Sequence, residues 1–211
     1  MPLEAPPWWY GRRYAMVSHA LLPIAAIYGA LAARRMAQPP QATSALPVIC
    51  VGNFTAGGTG KTPFALHIAS RLIAQGHCPV FLTRGYGGSL KGPVLVDRDA
   101  HTAQDVGDEP LLLAASASTV VARAREMGLA LIAERNAHAD SAARHDVIIM
   151  DDGLQNPRVK KDLTFALIDA ERGLGNARVI PAGPLRAPPP SPLRLPASAL
   201  CTITTASTWP R

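Results

Sequence analysis

A glycine-rich segment that ends in a lysine and a threonine is the part of the sequence best suited to chemistry. It reads Thr55-Ala56-Gly57-Gly58-Thr59-Gly60-Lys61-Thr62. In such a segment, successive backbone N–H groups converge on a phosphate, and the helix that follows adds the positive end of its dipole. Lys61 is expected to reach the β- and γ-phosphates of a nucleotide, and the Thr62 hydroxyl to ligate Mg²⁺. The segment therefore predicts a loop whose eight residues bind ATP.

The glycine loop departs from the usual phosphate-loop pattern at its first position, where Thr55 replaces glycine. A tight turn between a strand and a helix is the alternative interpretation. The flanking sequence favours the phosphate loop, because the apolar run 46–51 is typical of a buried parallel strand and a helical pattern starts after Pro63. Strand, glycine loop and helix are the context that this motif requires.

Two adjacent carboxylates, Asp151 and Asp152, follow a second apolar run at 146–150. In phosphate-loop enzymes, the aspartate at the end of such a strand holds Mg²⁺ directly or through water. Asp-Gly pairs also turn the chain without any further role, and Gly153 leaves that alternative open. Together with the glycine loop, the pair predicts a nucleoside triphosphate and magnesium as ligands.

Two turn-rich segments between these motifs carry further polar side chains, at 83–88 and 105–110. Ligands of α/β sheets bind beyond the carboxyl ends of the strands, where such segments collect. Asp108 is a candidate to accept a proton from an attacking hydroxyl, and Arg84 to bind a substrate phosphate. Spacing alone leaves both residues equally consistent with helix caps or turns.

The elements that must position these residues form an α/β fold. Runs at 80–83 and 119–122 indicate further strands, and 126–137 indicates a helix, so we expect a parallel sheet with flanking helices of the P-loop NTPase type. Hydrophobic residues make up 48% of the 211 residues and charged residues 17%, which excludes a wholly disordered chain. The three cysteines have no paired spacing, so a disulfide framework and a zinc site are excluded and the chemistry is expected in the cytosol.

The formal net charge of +6 raises the question of a polyanionic partner. The arginines are scattered, and no stripe of interleaved aromatic and basic residues accompanies them. Nucleic acid is therefore not expected as a partner. Anionic lipid or a phosphorylated substrate accounts for the same charge.

The segment 14–33 is apolar and carries no formal charge at neutral pH. As a helix it would extend about 30 Å, the thickness of a bilayer's hydrocarbon core. Trp8 and Trp9 precede it, and arginine pairs bracket it. We expect a membrane-associated helix within residues 1–37; whether it spans the bilayer or lies in the interface is open, because Pro23 and two polar residues interrupt it.

Five ordered motifs resemble the tetraacyldisaccharide 4'-kinases, the lipid A 4'-kinase family. The likeness also covers the aromatic opening and the apolar helix, and Thr in place of the first loop glycine is usual in that family. The motifs are Gly52–Pro63, Arg84–Gly88, Asp105–Pro110, Asp151–Gln155 and Pro181–Arg186.

The resemblance implies transfer of the ATP γ-phosphate to the 4'-hydroxyl of an acylated glucosamine disaccharide 1-phosphate, a lipid A precursor, at the cytoplasmic face of the bacterial inner membrane. It also implies residue roles. Residues 55–62 hold ATP; Thr62, Asp151 and Asp152 serve Mg²⁺; Lys61 and Asp108 are catalytic, Asp108 as the base; Arg84, Tyr86 and Arg186 contact the acceptor.

The chain departs from the family pattern near its C-terminal end. Asn156 stands where the family has His, and Ala187 where it has a Glu associated with the metal site. We expect a kinase core at 38–186 and a proline-rich, disordered or aberrant tail at 187–211, with the family's second α/β lobe missing. A truncated or frameshifted kinase and a divergent proline-rich tail are the two interpretations.

Two other functions remain in view. A P-loop ATPase of the partitioning or metallochaperone type is one, although such proteins place a lysine just before Gly-Gly, where this chain has Ala56. A non-catalytic remnant that binds ATP without transferring phosphate is the other.

Overall fold

The computed structural model describes residues 5–11, 14–58, 60–140, 144–188 and 201–205. The chain divides into two compact units, which are described separately. The first consists of Met1–Gln38, Asn53–Gly60 and Phe165–Arg211, and the second of Pro39–Gly52 and Lys61–Thr164.

The second unit is built on a sheet in which β3, β4, β2, β5 and β1 lie side by side in that order. All neighbours are parallel except β3, which runs antiparallel to β4. Parallel strands place their carboxyl ends at one edge of a sheet, so the ends of β1, β2, β4 and β5 share an edge. The strands are β1 Val48–Asn53, β2 Pro79–Thr83, β3 Val94–Leu95, β4 Thr119–Val121 and β5 Val147–Asp151.

The predicted α/β architecture with a parallel sheet is confirmed in this unit. Strands β2 and β5 are buried along their whole length, which explains why their sequences are continuous apolar runs without alternation. Helix α4 (Lys61–Ala74) packs against β2 and β5, and α7 (Arg125–His138) packs against β2 and β4. Both helices lie where the sequence pattern predicts them.

Segment 102–114 forms two short helices, α5 (Ala103–Val106) and α6 (Asp108–Ala114), where the sequence predicted turns only. Thr102 and Asp105 form a reciprocal capping box at the start of α5, with the Thr102 N–H donating to Asp105 Oδ2 at 2.8 Å. Gly107 separates the helices with a φ of +94°, a conformation that favours glycine. This break fixes Asp108 as the first residue of α6.

The first unit holds helices α1 (Pro7–Tyr10), α2 (Ala15–Ala20) and α3 (Leu22–Met36). The expected single apolar helix is not confirmed, because α2 ends at Ala20 and α3 begins at Leu22, with Leu21 between them. Pro23 lies in the first turn of α3, and a proline without its N–H is tolerated there but disrupts a helix interior. Within the described residues, no helix has the length and apolar character needed to cross a membrane.

A polar cluster joins α2 to the segment 176–182 in the first unit. Ser18 is buried, and its Oγ donates to the Ala182 carbonyl at 2.5 Å. Asn176 Nδ2 donates to three oxygens, those of Ser18 Oγ and the Trp8 and Ala182 carbonyls. Arg178 adds a bond to Ser18 Oγ at 2.9 Å. These groups form the Ser18 cluster.

The segment 187–211, expected to lack regular structure, lies largely outside the described residues. Within it, Cys201–Thr205 forms strand β7, parallel to β6 (Leu163–Asp169), with Phe165 opposite Cys201 and Asp169 opposite Thr205. The sequence analysis predicted no strand at this position. The run Thr202–Thr205 consists of β-branched residues, whose propensity for extended backbone is consistent with the strand.

Candidate functional site

The part of the glycine loop that ends at Gly60 lies in the first unit, and its backbone leaves space for a ligand. Gly57 has a φ of +115° and Gly60 a φ of +73°, conformations that residues with side chains rarely adopt. A Cβ added at Gly57 or Gly58 would meet nothing within 4 Å, so the loop backbone faces open space there. Thr59 lies outside the described residues.

The segment that ends in Arg186 holds the start of the glycine loop. The Ala56 N–H donates to the Pro184 carbonyl at 2.7 Å, and the Arg186 N–H donates to the Phe54 carbonyl at 2.8 Å. Thr55 is buried and pairs antiparallel with Leu185. A β-branched residue suits such a bridge, which gives a physical reason for threonine at the position where the general motif has glycine.

In the second unit, Lys61 and Asp152 face each other at the start of α4. Lys61 Nζ lies 3.9 Å from Asp152 Oδ1, and the two side chains are 12% and 38% exposed. Thr62 follows Lys61 in the chain and is buried. Lys61, Thr62 and the two aspartates of the predicted site therefore belong to one unit. They lie where the beginning of α4 meets the end of β5.

Asp151 is the most unusual group of this site. It is only 1% exposed, and its Oδ1 is buried without a hydrogen-bond partner among the described residues. Burial raises the pKa of the carboxyl to about 6, helped by the negative charges of Glu109 and Asp152, while Lys61 and Arg125 oppose the increase. A buried carboxylate whose oxygen has no hydrogen-bond partner destabilises the fold, and a bound cation would compensate for this cost.

Asp152 and Gly153 form the turn that follows β5. Asp152 has a φ of +50°, which is uncommon for a residue other than glycine. Gly153 donates its N–H to the Val51 carbonyl at 3.4 Å, and a side chain there would collide with Met150. The interpretation of Asp151-Asp152-Gly153 as a simple turn accounts for Gly153, but not for the buried, unpartnered oxygen of Asp151.

The donor set fits magnesium. Carboxylate and hydroxyl oxygens are the ligands that Mg²⁺ prefers, and it usually takes only one or two carboxylates, with water and substrate phosphates completing the shell. In the described part of the chain, no group of three or more His, Cys, Asp or Glu side chains is arranged to hold a metal. With two carboxylates and one hydroxyl, Asp151, Asp152 and Thr62 suit a cation whose other ligands come from water and a nucleotide.

The remaining predicted residues lie on segments next to the sheet edge. Arg84 follows β2, Asp108 begins α6, and both are exposed without a side-chain hydrogen bond or ion pair to any described residue. Tyr86 is 85% exposed. The two segments pack closely, because a side chain at Gly107 would collide with the Tyr86 carbonyl oxygen.

Sequence reasoning missed two charged residues near Asp151. Glu109 is the strongest charged influence on the Asp151 carboxyl, and its position in the first turn of α6, next to Asp108, was a usable signal. Arg125 is 3% exposed and donates to the Asp151 carbonyl. An arginine at the start of a helix is usually solvated, so the sequence carried no signal for its burial.

Comparison with known proteins gives a consistent result. A family model described as "LpxK: Tetraacyldisaccharide-1-P 4'-kinase" matches residues 17–206. A tetraacyldisaccharide 4'-kinase of Bradyrhizobium sp. (strain ORS 278) is 53% identical over 191 residues, covering 90% of this chain and 54% of the relative. One of Methylobacterium sp. (strain 4-46) is 53% identical over 186 residues, covering 88% of this chain and 53% of the relative.

A solved structure is also similar. It is the "apo" form of LpxK from Aquifex aeolicus in complex with ATP, which matches 82% of this chain and 55% of its own with a TM-score of 0.69 and 29% sequence identity. The chain thus spans about half the length of the relatives it matches.

Proposed function

The chain belongs to the tetraacyldisaccharide-1-P 4'-kinase family, and from that premise we propose that it acts in ATP-dependent phosphorylation of a lipid A precursor. The acceptor is an acylated glucosamine disaccharide 1-phosphate, which receives the γ-phosphate on its 4'-hydroxyl. The buried Asp151 carboxyl, with its unpartnered oxygen, is the observation that supports this proposal most strongly. Its burial without a partner costs stability, and its carboxylate oxygen is of the type that binds the magnesium of ATP.

We assign the roles of the transfer step as follows. The backbone of residues 55–60 binds the phosphates of ATP, and Lys61 neutralises their charge. Asp108 accepts the proton of the 4'-hydroxyl as its oxygen bonds to the γ-phosphorus; the bond from that phosphorus to the β–γ bridging oxygen breaks, and ADP leaves. Catalysis then consists mainly of positioning and charge neutralisation, as is general for phosphoryl transfer.

Magnesium fits the same scheme. Thr62, Asp151 and Asp152 would hold it, and its charge would stabilise the transferring phosphate. Lys61 Nζ lies 3.9 Å from Asp152 Oδ1, so the carboxylate that would hold magnesium also pairs with the lysine. Arg84, Tyr86 and Arg186 are proposed to contact the acceptor, of which Arg84 and Tyr86 are exposed and Arg186 is partly buried.

The acceptor's lipid chains imply a membrane surface as a partner, at the cytoplasmic face of the bacterial inner membrane. Helices α2 and α3 expose large apolar side chains that support this proposal. Ile24, Ile27 and Leu31 are 56%, 66% and 62% exposed and follow helical spacing, so they share one face of α3. A helix with such a face binds the membrane interface without crossing it.

The direct test is transfer of radiolabelled γ-phosphate from Mg-ATP to the disaccharide 1-phosphate in detergent, using the 211-residue chain. We expect labelled product from the wild type and none from Lys61→Ala. Lys160→Ala, which removes an exposed lysine of the same unit, is the matched control and should leave product formation unchanged. Mg-ATP binding without any transfer would contradict the kinase proposal and support a nucleotide-binding remnant instead.

The proposal of a partitioning or metallochaperone ATPase is not favoured. ATPases of this type place a lysine just before Gly-Gly, whereas this chain has Ala56 at that position. The relatives that match most of the chain are 4'-kinases.

A further inference from the structure

Arg125 connects the ends of two strands at the edge of the sheet where the proposed magnesium ligands lie. It is the first residue of α7 and is 3% exposed. Its Nη2 donates to the Asp151 carbonyl and its Nη1 to the Ala122 carbonyl, both at 3.0 Å. Ala122 follows β4 and Asp151 ends β5, so the guanidinium bridges across β2, which lies between these strands.

The hydrogen bond from Arg125 to the Asp151 carbonyl oxygen restrains the peptide group between Asp151 and Asp152. The peptide group is planar, so a donor that fixes the Asp151 carbonyl also fixes the direction in which Asp152 begins. Asp152 then adopts its φ of +50°, a conformation that persists only where the surroundings hold it. Gly153 completes the turn with its bond to Val51. Arg125 thus anchors the backbone at the start of this turn.

Packing alone does not explain an arginine at this position. Burial lowers the pKa of Arg125 to about 10, which leaves it charged at neutral pH. Its hydrogen bonds within the described chain go to carbonyl oxygens, and its Nε is buried without a partner there. A buried charge in this state is unfavourable compared with an apolar side chain of similar size.

We infer that Arg125 is a positioning residue, which holds the Asp151-Asp152 turn in the geometry that binds the divalent cation of the nucleotide. The inference rests on the proposed function, because it concerns the cation that accompanies ATP. Residues that orient metal ligands from behind typically change metal affinity by one to two orders of magnitude when replaced.

The test is a titration of Mg²⁺ against binding of a fluorescent ATP analogue to the full chain. In Arg125→Met, the Mg²⁺ concentration for half-maximal enhancement of binding should increase about tenfold or more. Arg125→Lys keeps the charge but cannot reproduce both bonds, so it should fall between wild type and Arg125→Met. Binding of the analogue in EDTA should be equal in all variants. Arg135→Met, on the exposed side of the same helix, is the control and should match wild type.

Equal Mg²⁺ dependence in wild type and a folded Arg125→Met would overturn the inference. If Arg125→Met does not fold by circular dichroism, Arg125→Lys decides, and an unchanged Mg²⁺ dependence in that variant overturns the inference as well. Absence of any Mg²⁺ enhancement in the wild type has a different meaning, because it contradicts the proposed function itself.

Discussion

At the level of single residues, Asp151 has a property that can be tested without substrate. Its pKa is raised from 3.8 to about 6 in the folded protein, so the folded state binds the proton more tightly than the unfolded state. Stability contributed by this group is therefore greatest below pH 3.8 and is lost as the pH increases towards and through 6. The buried carboxylate destabilises the protein at neutral pH.

We predict that Asp151→Asn increases the free energy of unfolding at pH 7.5 in magnesium-free buffer, by about 1 to 3 kcal/mol. The increase should disappear below about pH 3, where the carboxyl is protonated in both states. Urea denaturation at the two pH values measures this, with Asp99→Asn, an exposed aspartate, as control. An equal effect of Asp151→Asn at both pH values would contradict a raised pKa for the Asp151 carboxyl.

Asp108 supports a second prediction at this scale. It is exposed and has no side-chain partner among the described residues, so its replacement should not disturb the fold. As the proposed base, Asp108 should affect the proton-transfer step and not the binding of Mg-ATP. We predict that Asp108→Asn lowers the rate of phosphate transfer by about 100-fold or more, with the affinity for Mg-ATP unchanged. Transfer at the wild-type rate would remove this role, and Asp140→Asn serves as the exposed control.

At the level of elements, the Ser18 cluster links α2 to the segment that pairs with the glycine loop. Asn176 Nδ2 has three oxygen partners, of which Ser18 Oγ lies at 3.1 Å and the Ala182 carbonyl at 2.9 Å. Removing it leaves these buried or half-buried oxygens with fewer donors. The cluster therefore stabilises the first unit.

We predict that Asn176→Ala lowers the free energy of unfolding by about 1 to 3 kcal/mol. Gln38→Ala, an exposed amide of the same unit, should have an effect near zero. Chemical denaturation of the two variants makes the comparison. If the two variants are equally stable, the hydrogen bonds of Asn176 in the Ser18 cluster contribute no net stability.

The exposed face of α3 supports a prediction about membranes. Replacement of Ile24, Ile27 and Leu31 by serine should reduce sedimentation with vesicles of anionic phospholipid by about tenfold or more, because burial of these side chains drives interfacial binding. Met127→Ser, which removes an exposed apolar residue of the second unit, should sediment like wild type. Unchanged sedimentation of the triple variant would exclude α3 as the membrane-binding surface.

The elements differ in how well their sequences predicted them. Strands β1, β2, β4 and β5 and helices α4 and α7 could be predicted, since each carries a local apolar pattern, whereas β3, β6 and β7 were not predicted. The sequence identified Pro23 as an interruption of the apolar segment, but it did not predict that the segment divides into two helices on either side of Leu21. The bridge of Thr55 to Leu185 joins residues far apart in the chain, and no local pattern encodes it.

At the level of the whole molecule, the motifs predicted which residues lie together at the start of α4 better than how these residues are held. Lys61 and Asp152 were predicted to serve one nucleotide, and they lie 3.9 Å apart. The support that Arg125 provides depends on packing of α7 against the sheet, which single-residue propensities do not determine. The chemical roles of all the predicted site residues stay predictions. They concern residues 55–62, Asp151, Asp152, Asp108, Arg84, Tyr86 and Arg186.

Ligand binding should also stabilise the whole chain. A ligand that binds only the folded protein adds about 2.7 kcal/mol at a concentration of 100 times its Kd. We predict that Mg-ATP increases the melting temperature by several degrees and that ATP with EDTA gives a much smaller increase. Differential scanning fluorimetry measures both, with Lys61→Ala as the variant that should lose the response. An equal response to ATP with and without Mg²⁺ would contradict a shared magnesium site.

The most direct test of the central claim is a crystal structure of the chain with Mn²⁺ and a non-hydrolysable ATP analogue, with anomalous scattering used to locate the manganese. The account predicts a manganese peak bound by the Thr62 hydroxyl and the carboxylates of Asp151 and Asp152, with the triphosphate on the backbone of residues 55–60. A triphosphate bound elsewhere, or a metal that touches none of these three side chains, would contradict it.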